Sequence, residues 1–258
     1  MIRWFARAAS QARPGRRLGR ELVELLIGLG VLAFAFGLAG VVLRSSAGHA
    51  IGGVTNTTCL RGQVALTFDG GPGGDTAQII RVLRAHSVRA TFFVTGNRVT
   101  GNAALIRAAI AAGDEVENNG WDHAALGGLS LAHARDEITR TQRAVIAVGG
   151  AAPTMIRLPH GSTSERLDDQ VRWLGLKIMQ YSIDSGDRQG RAPAEITARV
   201  LRKATDGAVV LLHDGPGRSP NTVAALPDII EGLRSKGFCM ALVSSVPTIG
   251  PGLWQNAA

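Results

Sequence analysis

Short apolar runs alternate with amphipathic stretches along most of the chain beyond residue 60. The runs have the length and composition of buried strands, and the stretches between them carry apolar residues at helical spacing. Strands are predicted at Gln63–Thr67, Ala90–Val94, Asp114–Glu117, Thr154–Arg157, Lys177–Ile183, Ala208–Leu212 and Cys239–Val243. Helices are predicted at Thr76–His86, Ala103–Ala112, Leu131–Val148, Ser164–Leu174, Ala194–Ala204 and Thr222–Lys236.

The regular alternation of strands and helices predicts an α/β fold with parallel strands and helices outside them. Seven strands favour a closed or nearly closed barrel, although an open sheet has the same spacing. Local signals agree with these elements: Ser130 is placed to cap the helix that follows it, and Gly113 is placed to end the helix before it.

The first 43 residues have a different pattern. An Arg-rich arm, residues 1–22, precedes an apolar segment, residues 23–43, which is uncharged from Leu25 to Leu43. This length is close to the roughly 20 residues of a membrane-spanning helix, and the basic arm indicates a cytoplasmic N-terminus. We therefore expect a single-pass anchor in the cell membrane, with the domain outside it. Cleavage of a signal peptide near residues 45–50, giving a secreted protein, is the alternative.

These patterns divide the rest of the chain into a linker at residues 44–60, a folded domain at 61–247 and a tail at 248–258. The net charge is +8. Residues 1–44 hold seven Arg and two Glu, which leaves only +3 for the remainder. The outer domain also has no Lys/Arg cluster interleaved with aromatic residues, so we expect no nucleic-acid partner.

The chain has two cysteines, Cys59 and Cys239. Cys59 lies just before the first predicted strand and Cys239 begins the last one. Disulfides persist in exported domains, so the two form a disulfide if these strands are neighbours. The alternative is two unrelated free thiols.

Polar side chains follow five of the seven predicted strands. Each one alone has an ordinary structural explanation, such as a turn cap or a surface residue. In a parallel barrel, however, all of these positions lie at the same rim, where binding and catalytic sites form. The residues are Asp69, Asn119, His123, Arg157, Asp184, Asp187, His213 and Asp214.

At these residues the chain resembles the NodB-type polysaccharide deacetylases, carbohydrate esterases of family 4 with a distorted (β/α) barrel. Six segments carry the resemblance in order, from about Gln63 to Val246. Thr67–Pro72 resembles T-F-D-D-G-P, Ala90–Val94 matches A-T-F-F-V, Gly113–His123 resembles G-H-E-I-G-N-H-T-W-S-H, Arg157–Gly161 resembles R-x-P-Y-G, Asp184–Arg188 resembles D-x-x-D-W, and Val210–Asp214 resembles L-L-H-D.

The resemblance implies metal-assisted hydrolysis of N-acetyl groups on a glycan, with a divalent metal, commonly zinc, activating water. By position, Asp69 corresponds to the general base and His213 to the general acid. Arg157 would hold Asp69 ionised, and either Asp184 or Asp187 would support His213.

The resemblance also assigns an oxyanion and substrate site to the segment Pro159–His160, where the backbone N–H of His160 would stabilise the tetrahedral oxyanion.

The metal-ligand positions of the family fall on Gly70, Asn119 and His123. Glycine has no side chain, asparagine is a poor zinc ligand, and catalytic zinc normally takes three protein ligands. We therefore expect weak metal binding, with His123 the one intact ligand. His160, which stands where the family has tyrosine, is a candidate for a second imidazole.

Two functions follow. The first is a membrane-anchored hydrolase that removes N-acetyl groups from peptidoglycan or a chitin-like polysaccharide, with Asp69 as base and His213 as acid. The second is an inactive deacetylase-like domain that binds glycan or an envelope partner, because two of the three metal-ligand positions are lost.

Overall fold

The computed structural model describes residues 59–217 and 219–246. The predicted arm, the apolar segment, nearly all of the linker and the tail lie outside these residues. The strands are β1 Gln63–Asp69, β2 Thr91–Val94, β3 Glu115–Asn118, β4 Met155–Ile156, β5 Lys177–Ile178, β6 Ile183–Asp184, β7 Ala208–His213 and β8 Cys239–Ala241. The helices are α1 Thr76–Ala85, α2 Gly96–Val99, α3 Ala103–Ala112, α4 Leu131–Ala147, α5 Glu165–Trp173, α6 Pro193–Lys203 and α7 Pro220–Ser235.

The predicted alternation is present, and every strand pairing is parallel. Most predicted boundaries lie within two or three residues of the observed ones; the four-residue helix α2 was not predicted. The predicted caps are also present: the Ser130 hydroxyl accepts a hydrogen bond from the His133 N–H at 3.3 Å. Gly113 ends α3 with φ +86°, a left-handed conformation that glycine adopts at little cost.

The strands form one sheet in the order β5-β4-β3-β2-β1-β7-β6, with β8 paired to the first half of β1. The prediction of one strand at Lys177–Ile183 is wrong, because that segment forms β5 and β6 at opposite ends of this order. Between them, the carbonyl groups of Met179 and Gln180 accept hydrogen bonds from the Arg157 side chain. The chain therefore leaves one edge of the sheet and reaches the other.

The sheet is a curled half-barrel rather than a closed barrel. Among the residues that the structure describes, no strand pairing joins β5 to β6. The two edges are bridged by the intervening segment, whose Ser182 N–H bonds the Val209 carbonyl at 3.0 Å. This corrects the prediction of a closed or nearly closed barrel.

Alternate residues of each strand face opposite sides of the sheet, as the two-residue period of a strand requires. On β1, Val64, Leu66 and Phe68 belong to the large core between the sheet and the helices. Ala65 belongs instead to a smaller cluster with Phe93 and Val209 inside the curl. Thr67 and Asp69 share the inner side with Ala65, so the inner face changes from apolar to polar towards the carboxyl end of the sheet.

A disulfide joins Cys59 and Cys239, with a Cα–Cα distance of 5.3 Å, across 180 residues of chain. The two residues meet because β8 pairs in parallel with the beginning of β1. The bond therefore fixes the first described residue of the domain to its last strand.

Within residues 59–217 and 219–246, no helix has both the length and the apolar character needed to cross a membrane. The apolar segment at residues 23–43 is outside this range.

We predict that replacing both cysteines, in Cys59→Ser/Cys239→Ser, lowers the free energy of unfolding by about 2–5 kcal/mol, because a cross-link over a long loop restricts the unfolded chain. Urea unfolding of the disulfide-bonded protein and of the variant, monitored by circular dichroism, measures the difference. Reductant should destabilise the unsubstituted protein by a similar amount and leave the variant unchanged. Equal stabilities would contradict the prediction.

Candidate active site

Four polar side chains reach the inner face of the curl at the carboxyl end of the sheet. Asp69 ends β1 and His213 ends β7, while Asn119 and Arg157 directly follow β3 and β4. Each lies at a position that faces the inner side of the sheet in the two-residue alternation of its strand. Asp69 and His213 are also direct partners in the β1–β7 register. The sheet therefore gathers residues that lie up to 144 positions apart in the sequence.

Asp69 and Arg157 form a buried ion pair, with 2.7 Å between Asp69 Oδ1 and Arg157 Nη1. The side chains of Arg157 and Asp69 are only 3% and 9% exposed. Arg157 also donates to the Thr67 hydroxyl at 2.7 Å, and its guanidinium lies 4.2 Å from the centre of the Phe93 ring. The guanidinium thus holds the carboxylate of Asp69 in one orientation.

Burial raises the pKa of Asp69 above its ordinary value, whereas the charges of Arg157 and His213 oppose that rise. A carboxylate with a raised pKa is a stronger base than an exposed one. Arg157 nevertheless favours the ionised form, which is the form that accepts a proton.

His213, which is partly buried, forms the second pair, with the buried Asp187. Asp187 Oδ1 is 2.8 Å from His213 Nδ1, and Asp187 Oδ2 accepts from the His213 backbone N–H at 2.8 Å and from the Thr222 hydroxyl at 2.9 Å. Burial acts to raise the pKa of Asp187, but the hydrogen bonds and charge of His213 lower it below its ordinary value. Asp187 therefore stays ionised beside the imidazole.

The sequence left the partner of His213 open between Asp184 and Asp187. The structure places Asp187 there. Asp184 accepts a hydrogen bond from the Gly186 N–H at 2.7 Å, and its own carbonyl accepts from the Arg199 side chain. Asp184 thus shapes the turn that carries Asp187 and does not contact the imidazole.

The three expected metal-ligand positions do not form a metal site. Gly70 offers no side chain. Asn119 is fully buried and donates through Nδ2 to the Arg157 carbonyl at 2.8 Å, while its Oδ1 has no hydrogen-bond partner among the described residues. In the part of the chain that the structure describes, no group of three or more His, Cys, Asp or Glu side chains is arranged to hold a metal ion. One imidazole and one amide oxygen do not fit a zinc ion, which takes three protein ligands in catalytic sites.

His123 and His160 lie against each other at the rim, edge to face, with ring centres 4.8 Å apart. Both have left-handed backbone conformations, with φ +69° and +59°. Such strain is uncommon outside glycine and often occurs at functional sites. Burial, followed by the neighbouring His160, Arg188 and His213, lowers the pKa of His123 to about 4.

Pro159 and His160 form a single turn of 3-10 helix with Gly161, directly after the strand that carries Arg157. Pro159 is buried and His160 is exposed. The turn therefore places His160 at the open side of the site, where the sequence predicted a contact with substrate.

Asp214 is a further buried acid, which the sequence placed at the rim without a catalytic role. Its Oδ2 accepts from the Thr76 hydroxyl at 2.7 Å, and burial raises its pKa to about 7. A Cβ on Gly71 would lie only 2.1 Å from that oxygen, so the turn after Asp69 requires glycine there. The motif at residues 210–214 was the available signal, because Asp214 directly follows the predicted acid.

Thr67 and Thr222 were also missed, although each bonds one of the two pairs. Thr67 could have been identified from the strand period, since it lies two residues before Asp69 on the same face. Thr222 has no such signal, because its contact with Asp187 depends on how α7 packs.

The model of the family described as "Polysaccharide deacetylase" matches residues 58–179. A similar protein is the peptidoglycan-N-acetylglucosamine deacetylase PgdA of Listeria monocytogenes, 36% identical over 177 residues, which cover 68% of this chain. The chain spans 37% of the length of PgdA.

Two solved structures have similar folds. A family 4 carbohydrate esterase from Streptomyces lividans, in complex with acetate, has a TM-score of 0.68 and 34% identity, over 74% of this chain and 98% of that one. The family 4 pseudoenzyme BA3943 from Bacillus anthracis has a TM-score of 0.67 and 26% identity, over 72% of this chain and 66% of that one. The order of strands, the two pairs and these matches agree: this chain belongs to the polysaccharide deacetylase family.

Proposed function

We propose that this domain hydrolyses N-acetyl groups of peptidoglycan or a chitin-like glycan, with Asp69 as the base and His213 as the acid. The observation that carries the proposal is the presence of two pairs, the buried Asp69–Arg157 and the partly buried His213–Asp187, on register partners of adjacent strands. A base held ionised and an imidazole held by a carboxylate are the two groups that amide hydrolysis requires.

In this mechanism Asp69 accepts a proton from a water molecule as the water oxygen attacks the acetamide carbonyl carbon. The tetrahedral intermediate then breaks its C–N bond, and protonated His213 gives its proton to the leaving nitrogen. The products are acetate and the free amine of the sugar. Asp187 stabilises the imidazolium form of His213, and the backbone N–H of His160 contributes to stabilising the oxyanion.

No step of this mechanism uses a metal, because the donor set at Gly70, Asn119 and His123 does not fit one. The same observation favours a second candidate: a domain that binds N-acetylated glycan without hydrolysing it. Support for this candidate comes from the similarity to a structure described as a pseudoenzyme of the same family. Glycan binding is common to both candidates, and acetate release separates them.

We also propose that residues 23–43 anchor the protein in the cell membrane, with the catalytic domain on the outer side. The uncharged run and the Arg-rich arm before it support this arrangement. The disulfide between Cys59 and Cys239 supports an oxidising compartment for the domain. Protease protection of the domain that persists after the outer envelope is removed, and is lost only when the cell membrane itself is permeabilised, would contradict it.

We predict that Asp69→Asn and His213→Ala each lower acetate release from chito-oligosaccharide and peptidoglycan by about 10²–10⁴-fold, the usual contribution of a general acid or base. Acetate is measured by a coupled enzymatic assay, and glycan binding by calorimetry. Asp136→Asn, at an exposed position on α4, is the control and should retain full activity.

Activity that survives Asp69→Asn would contradict the assigned base. Glycan binding with no acetate release from the unsubstituted protein would contradict hydrolysis and support the binding-only candidate.

We predict that activity falls with acidity at a pH above the ordinary range of an aspartate, because Asp69 must be ionised and burial raises its pKa. Arg157→Lys removes the guanidinium hydrogen bond that favours the ionised carboxylate, so the pKa of Asp69 rises further and the acid limb of kcat/KM moves to higher pH. The profile is measured from pH 4 to 9, with Arg107→Lys on the exposed side of α3 as control. A shift to lower pH would contradict the role of Arg157.

We predict that Gly70→Asp combined with Asn119→His raises zinc affinity by at least about tenfold, since it returns a carboxylate and an imidazole to the rim. A Cβ on Gly70 would meet only Gly215 Cα, at 3.5 Å, so space for the side chain exists. The left-handed φ of +82° costs an aspartate about 1 kcal/mol. Isothermal titration with zinc measures the change, with Gly128→Asp/Asn102→His as the surface control. Unchanged affinity would show that the rim geometry is wrong.

A further inference from the structure

The side chain of Arg188 lies beside the position where the family has a second aspartate. It belongs to the three-residue turn Asp187–Gln189 that follows β6. Within this turn Asp187 reaches inward to His213, and the Arg188 backbone N–H donates to Asp187 Oδ1 at 2.8 Å. The contacts that fix the acid therefore also fix the backbone of Arg188.

The guanidinium group of Arg188 extends over the turn that carries Asp69. An ideal Cβ on Gly215 would lie 3.3 Å from Arg188 Nη2 and 3.3 Å from the carbonyl oxygen of Gly70. The guanidinium nitrogen and the Gly70 carbonyl are thus at most twice that distance apart. Gly215 and Gly70 both lack side chains, so neither residue blocks the approach of the Arg188 guanidinium to the Gly70 carbonyl.

Within residues 59–217 and 219–246, no hydrogen bond or ion pair engages the exposed side chain of Arg188. The nearby carboxylates of Asp69 and Asp187 are bonded to Arg157 and His213. Asp214, the residue before Gly215, accepts a hydrogen bond from the Thr76 hydroxyl, and burial raises its pKa to about 7. Each of these three acids thus has another partner than Arg188.

We propose that Arg188 is the anion-binding residue of this site, and that its guanidinium holds an acyl or carboxylate oxygen, such as that of acetate, with no divalent metal. A planar guanidinium with free N–H groups binds a carboxylate through two parallel hydrogen bonds. An exposed cation thus lies near Gly70, at a rim where Gly70 and Asn119 supply no metal ligand. The inference rests on the proposed acetyl-group site, but it concerns binding, which is measured without turnover.

The experiment titrates the full-length protein with ¹³C-labelled acetate in the presence of a chelator and follows binding by NMR. Neutral acetamide is the second probe. We expect saturable acetate binding that is stronger than acetamide binding. Arg188→Gln should weaken acetate binding by at least about tenfold and abolish the preference over acetamide, and Arg188→Lys should fall between the two, because it keeps the charge but loses the fork.

Arg191→Gln is the matched control, because Arg191 lies three residues away in the same segment and hydrogen-bonds the side chain of Gln189 at 2.9 Å. It should leave acetate affinity unchanged. The proposal is overturned if acetate binds only when zinc is added, or if Arg188→Gln binds acetate as well as the unsubstituted protein does. Acetate binding that depends on Arg188 in a protein that releases no acetate from glycan would reject the hydrolase function and uphold this one.

Discussion

The position of the Arg157 guanidinium is the constraint on which the rest of this structure depends. From the end of β4 it reaches Thr67 and Asp69 on β1, three strands away in the sheet, and the carbonyl groups of Met179 and Gln180 beyond β5. These contacts tie one edge of the sheet to its centre, where a closed barrel would use strand pairing. A buried charge is tolerated only when it is fully paired and hydrogen-bonded, so the curl of the sheet and the orientation of the base are fixed by the same side chain.

The two pairs have complementary electrostatics. In the first pair, the guanidinium of Arg157 holds the carboxylate of Asp69. In the second, the carboxylate of Asp187, whose pKa is lowered, holds the imidazole of His213. Asp69 and His213 end adjacent strands in register, so the proposed proton acceptor and proton donor lie on the same side of the sheet. Both pairs are present although positions 70 and 119 lack the ligands of the family, and Asn119 is bonded to this frame through the Arg157 carbonyl.

The sequence was sufficient to predict the parts of this site that depend on local pattern. Asp69, Arg157 and His213 follow apolar runs, and parallel strands bring such positions to one edge. The split of the segment at residues 177–183 was not predictable, because an apolar run does not show which strand it pairs with. The choice between Asp184 and Asp187 depended on a turn conformation, and the contact of Thr222 depended on helix packing. The anchor at residues 23–43 stays a prediction.

Asn119 has a consequence for how this protein can change. Its buried amide supports the backbone of Arg157 through one hydrogen bond, and its Oδ1 has no partner among the described residues, at a cost of about 1–3 kcal/mol. At position 70, by contrast, a Cβ would make only an ordinary contact with Gly215 Cα, on a left-handed backbone. The aspartate of the family is thus a local change at position 70, whereas an imidazole at position 119 must also take over the bond to the Arg157 carbonyl. The two positions therefore differ in how far a substitution disturbs the rest of the site.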